Sequence, residues 1–130
     1  MSRTIGSVAL LVRDYDEALE FYAMKLGFEI LENRTVGNDK RWVRLAPAGS
    51  RGTAILLAKA SSKDQLERVG DQTGGRVFLF LETDDFHRDY QHLQRRGVVF
   101  EEKPRDEPYG TVAVFRDLYG NRWDLIELSE

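Results

Sequence analysis

The stretch that decides the fold is Ile5-Gly6-Ser7-Val8-Ala9-Leu10-Leu11-Val12-Arg13-Asp14-Tyr15-Asp16-Glu17-Ala18-Leu19-Glu20-Phe21-Tyr22, followed by Leu26-Gly27-Phe28. Residues 5–12 are apolar and partly β-branched, the signature of a strand. Asp14 with Glu17 three residues later predicts a helix start, the aspartate capping and the glutamate reaching back. Tyr15, Ala18, Leu19, Tyr22 and Leu26 then recur at helical spacing and form one apolar stripe. Gly27 supplies the left-handed residue that ends such a helix. Three further strands are expected near 28–34, 41–46 and 53–58, with turns at Asn38-Asp39 and between Pro47 and Gly52.

Residues 59–75 are polar and glycine-rich and read as a linker with a short helix inside it. The same order of elements then returns. Val77 to Leu81 reads as a strand, and Asp84 or Asp85 as the cap of a helix. Phe86, Tyr90 and Leu93 share one face of that helix, and Gly97 closes it. Strands are expected near 98–102, 111–116 and 122–128, with turns at Pro108-Tyr109-Gly110 and Tyr119-Gly120-Asn121. The chain is thus two βαβββ units in tandem, residues 1–58 and 76–130, a repeat of element order more than of sequence. The fold class is α+β. Each curved sheet carries its helix on the convex face, and pairing two units makes an eight-stranded half-barrel around a cup.

Composition narrows the function. The chain has 130 residues, suited to one compact domain, with 42% hydrophobic and 11% aromatic content. A net charge of −3 without clustered basic residues gives no nucleic-acid footprint. No apolar run approaches the roughly 20 residues that span a bilayer. Cysteine is absent, which removes disulfides, thiolate metal sites and cysteine nucleophiles. Met1-Ser2-Arg3-Thr4 leads straight into a strand, so no secretory signal and a cytoplasmic location are expected. Phosphate-binding loops, nucleophile elbows and HExxH motifs do not occur. The two histidines, His87 and His92, lie five residues apart, roughly 140° around a helix axis, and do not share a metal from one helix.

The opening stretch and Phe115-Arg116-Asp117-Leu118-Tyr119-Gly120-Asn121-Arg122-Trp123-Asp124-Leu125-Ile126 resemble the signatures of the vicinal oxygen chelate superfamily. That superfamily covers glyoxalase I, bleomycin-resistance proteins and extradiol dioxygenases. The resemblance implies the cup as functional site, paired within one chain or across a dimer, with a homodimer expected. It also implies four metal ligands in the enzymes of the family. Here Ser7 stands at a His position, Leu56 at a Glu position, Phe78 at a His or Glu position, and Asp124 at the last Glu position. Leucine and phenylalanine do not ligate, and one carboxylate with a neutral hydroxyl does not fix a divalent ion. No metal and no other cofactor is therefore expected.

Strand alternation puts Ser7, Ala9, Leu11, Ala54, Leu56, Phe78, Phe80, Asp124 and Ile126 on the inner faces, with Arg76 at the edge of the same row. This apolar and aromatic lining with one carboxylate suits a planar or hydrophobic organic ligand bearing a donor or cation near Asp124. Trp42 and Tyr109 are added as lining candidates, while Trp123, of opposite parity, packs beneath a helix. The same rows are also consistent with side chains that only fill the cup. Asp124 needs a partner, ligand or water, and Arg44, Arg76 and Arg122 are candidates. It is a weak candidate for a general base. The expected function is metal-free binding of a small molecule. The alternative is a glyoxalase-like lyase or isomerase, or a dioxygenase relative, with a divalent metal.

Overall fold

The computed structural model describes residues 1–130, which divide by their contacts into two compact units, Met1–Val69 and Gly70–Glu130. In the first unit the elements are β1 (Ser7–Val12), α1 (Tyr15–Leu19), β2 (Phe28–Gly37), β3 (Lys40–Pro47), β4 (Ala54–Lys59) and α2 (Lys63–Arg68). The Asp14 carboxylate accepts the Glu17 backbone N–H at 2.8 Å and so caps α1. The helix then widens to π-type turns over Glu20–Lys25 and stops before Gly27, whose φ is 75°. The widening was not foreseen; it keeps Phe21 and Tyr22 buried through the last turns. The open sheet has the order β1-β4-β3-β2, with β1 parallel to β4 and the other pairs antiparallel. Leu10, Leu57 and Val43 stand in one cross-strand row, all at 2% exposure or less. With Val12, Leu45, Ile55, Ala18, Leu19, Tyr22 and Phe28 they form the core. Ala9, Leu56, Arg44 and Glu32 make the alternate row on the other face.

The second unit contains β5 (Val77–Glu82), α3 (Phe86–Arg95), β6 (Val99–Phe100), β7 (Arg105–Glu107), β8 (Gly110–Arg116) and β9 (Arg122–Leu128). Asp85, not Asp84, caps α3 by accepting the Arg88 N–H at 3.2 Å. The open sheet runs β5-β9-β8-β6, with β7 also on β8. A chain of rings fills the helix side. Phe86 stacks on Tyr90 at 5.6 Å, Tyr90 meets Phe100 at 4.6 Å, Phe100 meets Phe115 at 5.6 Å, and Phe115 stacks on Trp123 at 5.9 Å. The terminal turn is held by Asp117, whose carboxylate accepts the N–H groups of Tyr119 and Asn121, both at 2.9 Å. Gly70 lies against this turn with φ 82°, and a Cβ there would sit 2.0 Å from the Tyr119 carbonyl oxygen.

The fold is α+β, with an open sheet of four strands in the first unit and one of five in the second. One detail departs from the sequence reading. The strand expected at 98–102 forms only over β6, and a further short strand, β7, follows it, which makes nine strands in place of eight. Pro104, between them, has no N–H to offer a ladder. The Glu101 N–H still reaches the Val114 carbonyl at 2.9 Å, but the Val114 N–H is taken by the Glu102 carboxylate at 2.9 Å. A side chain thus replaces the backbone acceptor that a continuous strand would supply.

Candidate functional site

In the first unit the face away from the core carries Ser7, Ala9, Leu11, Leu56, Arg44 and Glu32, set by the period-two alternation of β1, β4, β3 and β2. Arg44 spans three of these strands. Its Nη1 donates to Glu32 Oε1 at 2.8 Å and its Nε to Ser7 Oγ at 3.0 Å. The Glu32 carboxyl is held below the ordinary glutamate range by its Arg44 hydrogen bond first, then by the Trp42 side chain. Arg44 is therefore engaged inside its own unit. Trp42 and Leu56 are half-buried and both line a cavity of about 670 Å³ in this unit, together with Tyr15, Arg41 and Lys59.

In the second unit, Phe80, Asp124 and Val114 form one cross-strand row, and Ile126 with Val112 the next. Phe80 is 60% exposed, whereas Asp124 is only 8% exposed. Asp124 Oδ1 is buried and accepts no hydrogen bond. Burial pushes its carboxyl above the ordinary aspartate value; Arg105 opposes this, Glu102 adds to it, and Arg122 opposes it. Neither Arg76 nor Arg122, the candidates in the same unit, bonds to it. Arg122 donates to Glu101 at 2.8 Å and to the Gly75 carbonyl at 3.0 Å. Arg76 is exposed just before β5.

Phe78 corrects the parity reading. The β5–β9 register shifts between Val77 and Leu79, and the extra residue turns Phe78 onto the ring of Trp123, 6.3 Å away and nearly perpendicular. Phe78 thus faces the Trp123 side, opposite Phe80. Trp123, at 3% exposure, joins the ring chain beneath α3 as its parity requires. Tyr109 sits half-exposed in the β7–β8 turn.

Two groups near Asp124 escaped the sequence reading. Arg105 donates from Nε to Glu102 Oε1 at 2.9 Å and from Nη1 to Glu107 Oε1 at 3.1 Å. These contacts, Glu102 foremost, with Tyr109 beside them, drive its pKa further above the ordinary arginine value. The alternation Arg105-x-Glu107 on an edge strand was the available signal, but only the break at Pro104 brings Glu102 to them.

The donor set does not fit the family's metal. Ser7 Oγ already accepts from a guanidinium, whose positive charge opposes a cation there. Leu56 has no donor atom, Phe78 is an apolar ring turned to the other face, and Asp124 is the remaining carboxylate. No three His, Cys, Asp or Glu side chains gather to hold an ion.

The family model described as Glyoxalase/Bleomycin resistance protein/Dioxygenase superfamily matches residues 4–125. The chain belongs to this superfamily. A Shewanella frigidimarina protein described as uncharacterized is 52% identical over 131 residues, covering all of this chain and 97% of its own length. The crystal structure of UcmS2 superposes with a TM-score of 0.84 at 30% identity, over 97% of this chain and 98% of that one. The crystal structure of TnmS3, an antibiotic binding protein from Streptomyces sp. CB03234, gives a TM-score of 0.78 at 30% identity, over 99% and 98% of the two chains. Membership in the glyoxalase/bleomycin-resistance superfamily, with a neighbour of that kind, supports small-molecule binding at the level of the family. No helix is long and apolar enough to cross a membrane.

Proposed function

We propose that this protein is a metal-free small-molecule-binding protein that holds an organic ligand against the inner faces of its sheets, working in the cytoplasm as a homodimer. The observation that carries the reading is the replacement of the family's ligand set. A guanidinium sits on Ser7, apolar side chains stand at two further positions, and one carboxylate remains. In the first unit the Trp42 indole and Leu56, which line one cavity, offer the apolar contact area that a planar ligand needs. The likeness to an antibiotic-binding protein supports the same class of ligand. Catalysis is not part of the proposal. Asp124 has a raised pKa, and the charged groups nearest it, Arg105 and Glu102, are tied to each other in an ion pair.

The test is metal analysis of the purified protein, followed by a thermal-shift screen with planar organic compounds. The expected result is sub-stoichiometric Ni, Zn, Mn and Fe, no loss of stability in EDTA, and a rise in Tm with saturating ligand. Stoichiometric metal that EDTA removes, with turnover that returns on reloading, would replace this reading by the lyase or dioxygenase alternative.

A further inference from the structure

We propose that the cavity of the first unit binds a planar organic carboxylate, its rings against Trp42 and Leu56 and its charge on Lys59 and Lys40. The proposal rests on the small-molecule reading above and names the ligand class.

Access comes from the cavity itself. It holds about 670 Å³, a size that suits a drug-sized molecule. Trp42 and Leu56 are only half-buried where they line it, so their apolar surfaces are open to an occupant.

The sign of the ligand follows from the polar groups that line the same space. Three are cations, Lys40, Arg41 and Lys59, and one is a carboxylate, Asp39. Arg41 is spent within the chain. Its Nη1 donates to Asp16, outside the lining, at 2.9 Å, and its Nε and Nη2 donate to Asn33 Oδ1 at 3.3 and 3.0 Å. Asp14 also acts on Lys59, but its carboxylate caps α1. Two lysines therefore face one carboxylate in the cavity, and the Lys40 ammonium has no acceptor in the chain. Gln65 spends its Oε1 on the Ser61 N–H and hydroxyl at 2.7 and 3.1 Å, which leaves its Nε2, a donor, unused. The unmet groups are donors, so the occupant must bring acceptors, and a carboxylate brings them with the matching charge. The unit as a whole has the same bias. Residues 1–69 carry eleven lysines and arginines against nine acidic residues, whereas residues 70–130 carry eight against thirteen.

The chain already shows the contact. Lys59 Nζ holds both carboxylate oxygens of Asp39 at 2.9 Å. Asp39 is loosely kept there. Its side chain is 79% exposed, and it is the one non-glycine residue with positive φ, 56°. An ion pair with so exposed a member contributes little. A ligand carboxylate, anchored by rings inside the cavity, replaces Asp39 on Lys59, and Asp39 turns to water.

The experiment is titration calorimetry at pH 7 and low salt with three probes of one shape. They are 2-naphthoate, 2-naphthylmethanol and 2-naphthylmethylammonium, each measured on the full chain, on Lys59→Met and on Asp39→Gly. The naphthoate is expected to bind about tenfold tighter than the alcohol, as one added charge-assisted hydrogen bond gives, and the ammonium weakest. Lys59→Met is expected to remove most of that preference while leaving the alcohol within about twofold, a shift too small for loss of fold. Asp39→Gly suits the positive φ and frees Lys59, and is expected to tighten the naphthoate about threefold with the alcohol unchanged. Equal binding of naphthoate and alcohol by the wild type, a preference for the ammonium, or a full preference kept by Lys59→Met overturns the carboxylate assignment and leaves the small-molecule reading standing. An Asp39→Gly chain that binds naphthoate no tighter overturns the exchange at Lys59, and this variant alone decides if Lys59→Met does not fold. If none of the probes binds the wild type, the carboxylate assignment fails, and if the wider planar panel also fails to raise Tm, the proposed function falls with it.

Discussion

Both units begin with a strand and a helix and continue into an open sheet, but they finish their inner faces differently. In the first, a cation and an anion satisfy each other, with Arg44 tied to Glu32 and to Ser7. In the second, Oδ1 of Asp124 is left without a donor while the neighbouring Arg105 is bound by two other carboxylates. Duplicated architecture therefore does not imply duplicated chemistry. One face is closed by its own ion pair, and the other keeps a buried oxygen without a donor.

The strongest way to break the contrast is to remove the support beneath the second face. Trp123 stacks on Phe115 under α3 at 3% exposure. Trp123→Ala is expected to cost about 3–5 kcal/mol in urea denaturation, the range for a buried large aromatic. A loss under about 1 kcal/mol would mean that the ring chain does not support the sheet.

Asp124→Asn sharpens the contrast with a smaller effect of opposite sign. Burial raises the Asp124 carboxyl in the folded chain above its unfolded value. The folded state keeps that proton to higher pH, so stability falls as pH climbs from the ordinary aspartate value to the raised one. The amide removes this loss. The variant should be more stable than wild type at pH 7 by about 1 kcal/mol, and equal to it at about pH 3, where both states of the wild type hold the proton. A destabilised variant at pH 7 would show that the carboxylate has a partner after all.

The smallest effect belongs to the first unit. Glu32 is held below its ordinary pKa by Arg44 first. Its share of stability is present above the unfolded glutamate value and is lost as pH falls through the folded one. In Arg44→Met, the Glu32 side-chain resonance should titrate at higher pH than in wild type. An unchanged midpoint would detach Glu32 from Arg44 and erase the difference between the faces.

The element order was legible because its signals are local. Asp14 and Asp85 cap helices by accepting an N–H three residues on, Gly27 and Gly97 take positive φ, and Asp117 organises its own turn. Parity also separated Trp123 from Asp124, since β9 runs without interruption. Parity failed at Phe78, because a bulge inserts one residue and no single residue type announces it. The chain break at 101–104 was missed although Pro104 marked it. The hydrogen bond that makes the break workable joins Glu102 to Val114, twelve residues away. The ion pairs that distinguish the two faces, Arg44 with Glu32 and Arg105 with Glu102, depend on strand register or on that break, and composition carries neither.

The interrupted border of the second sheet bears on solubility. A long, regular outermost strand is a template on which foreign chains add in β fashion. Here that border offers only two residues, then three, separated by Pro104 and studded with Glu101, Lys103, Arg105 and Asp106. It gives an incoming strand too few consecutive backbone partners to dock. The first unit's β2 is ten residues long and shows Ile30, Leu31 and Val36 to solvent, which makes it the margin where self-templating would begin.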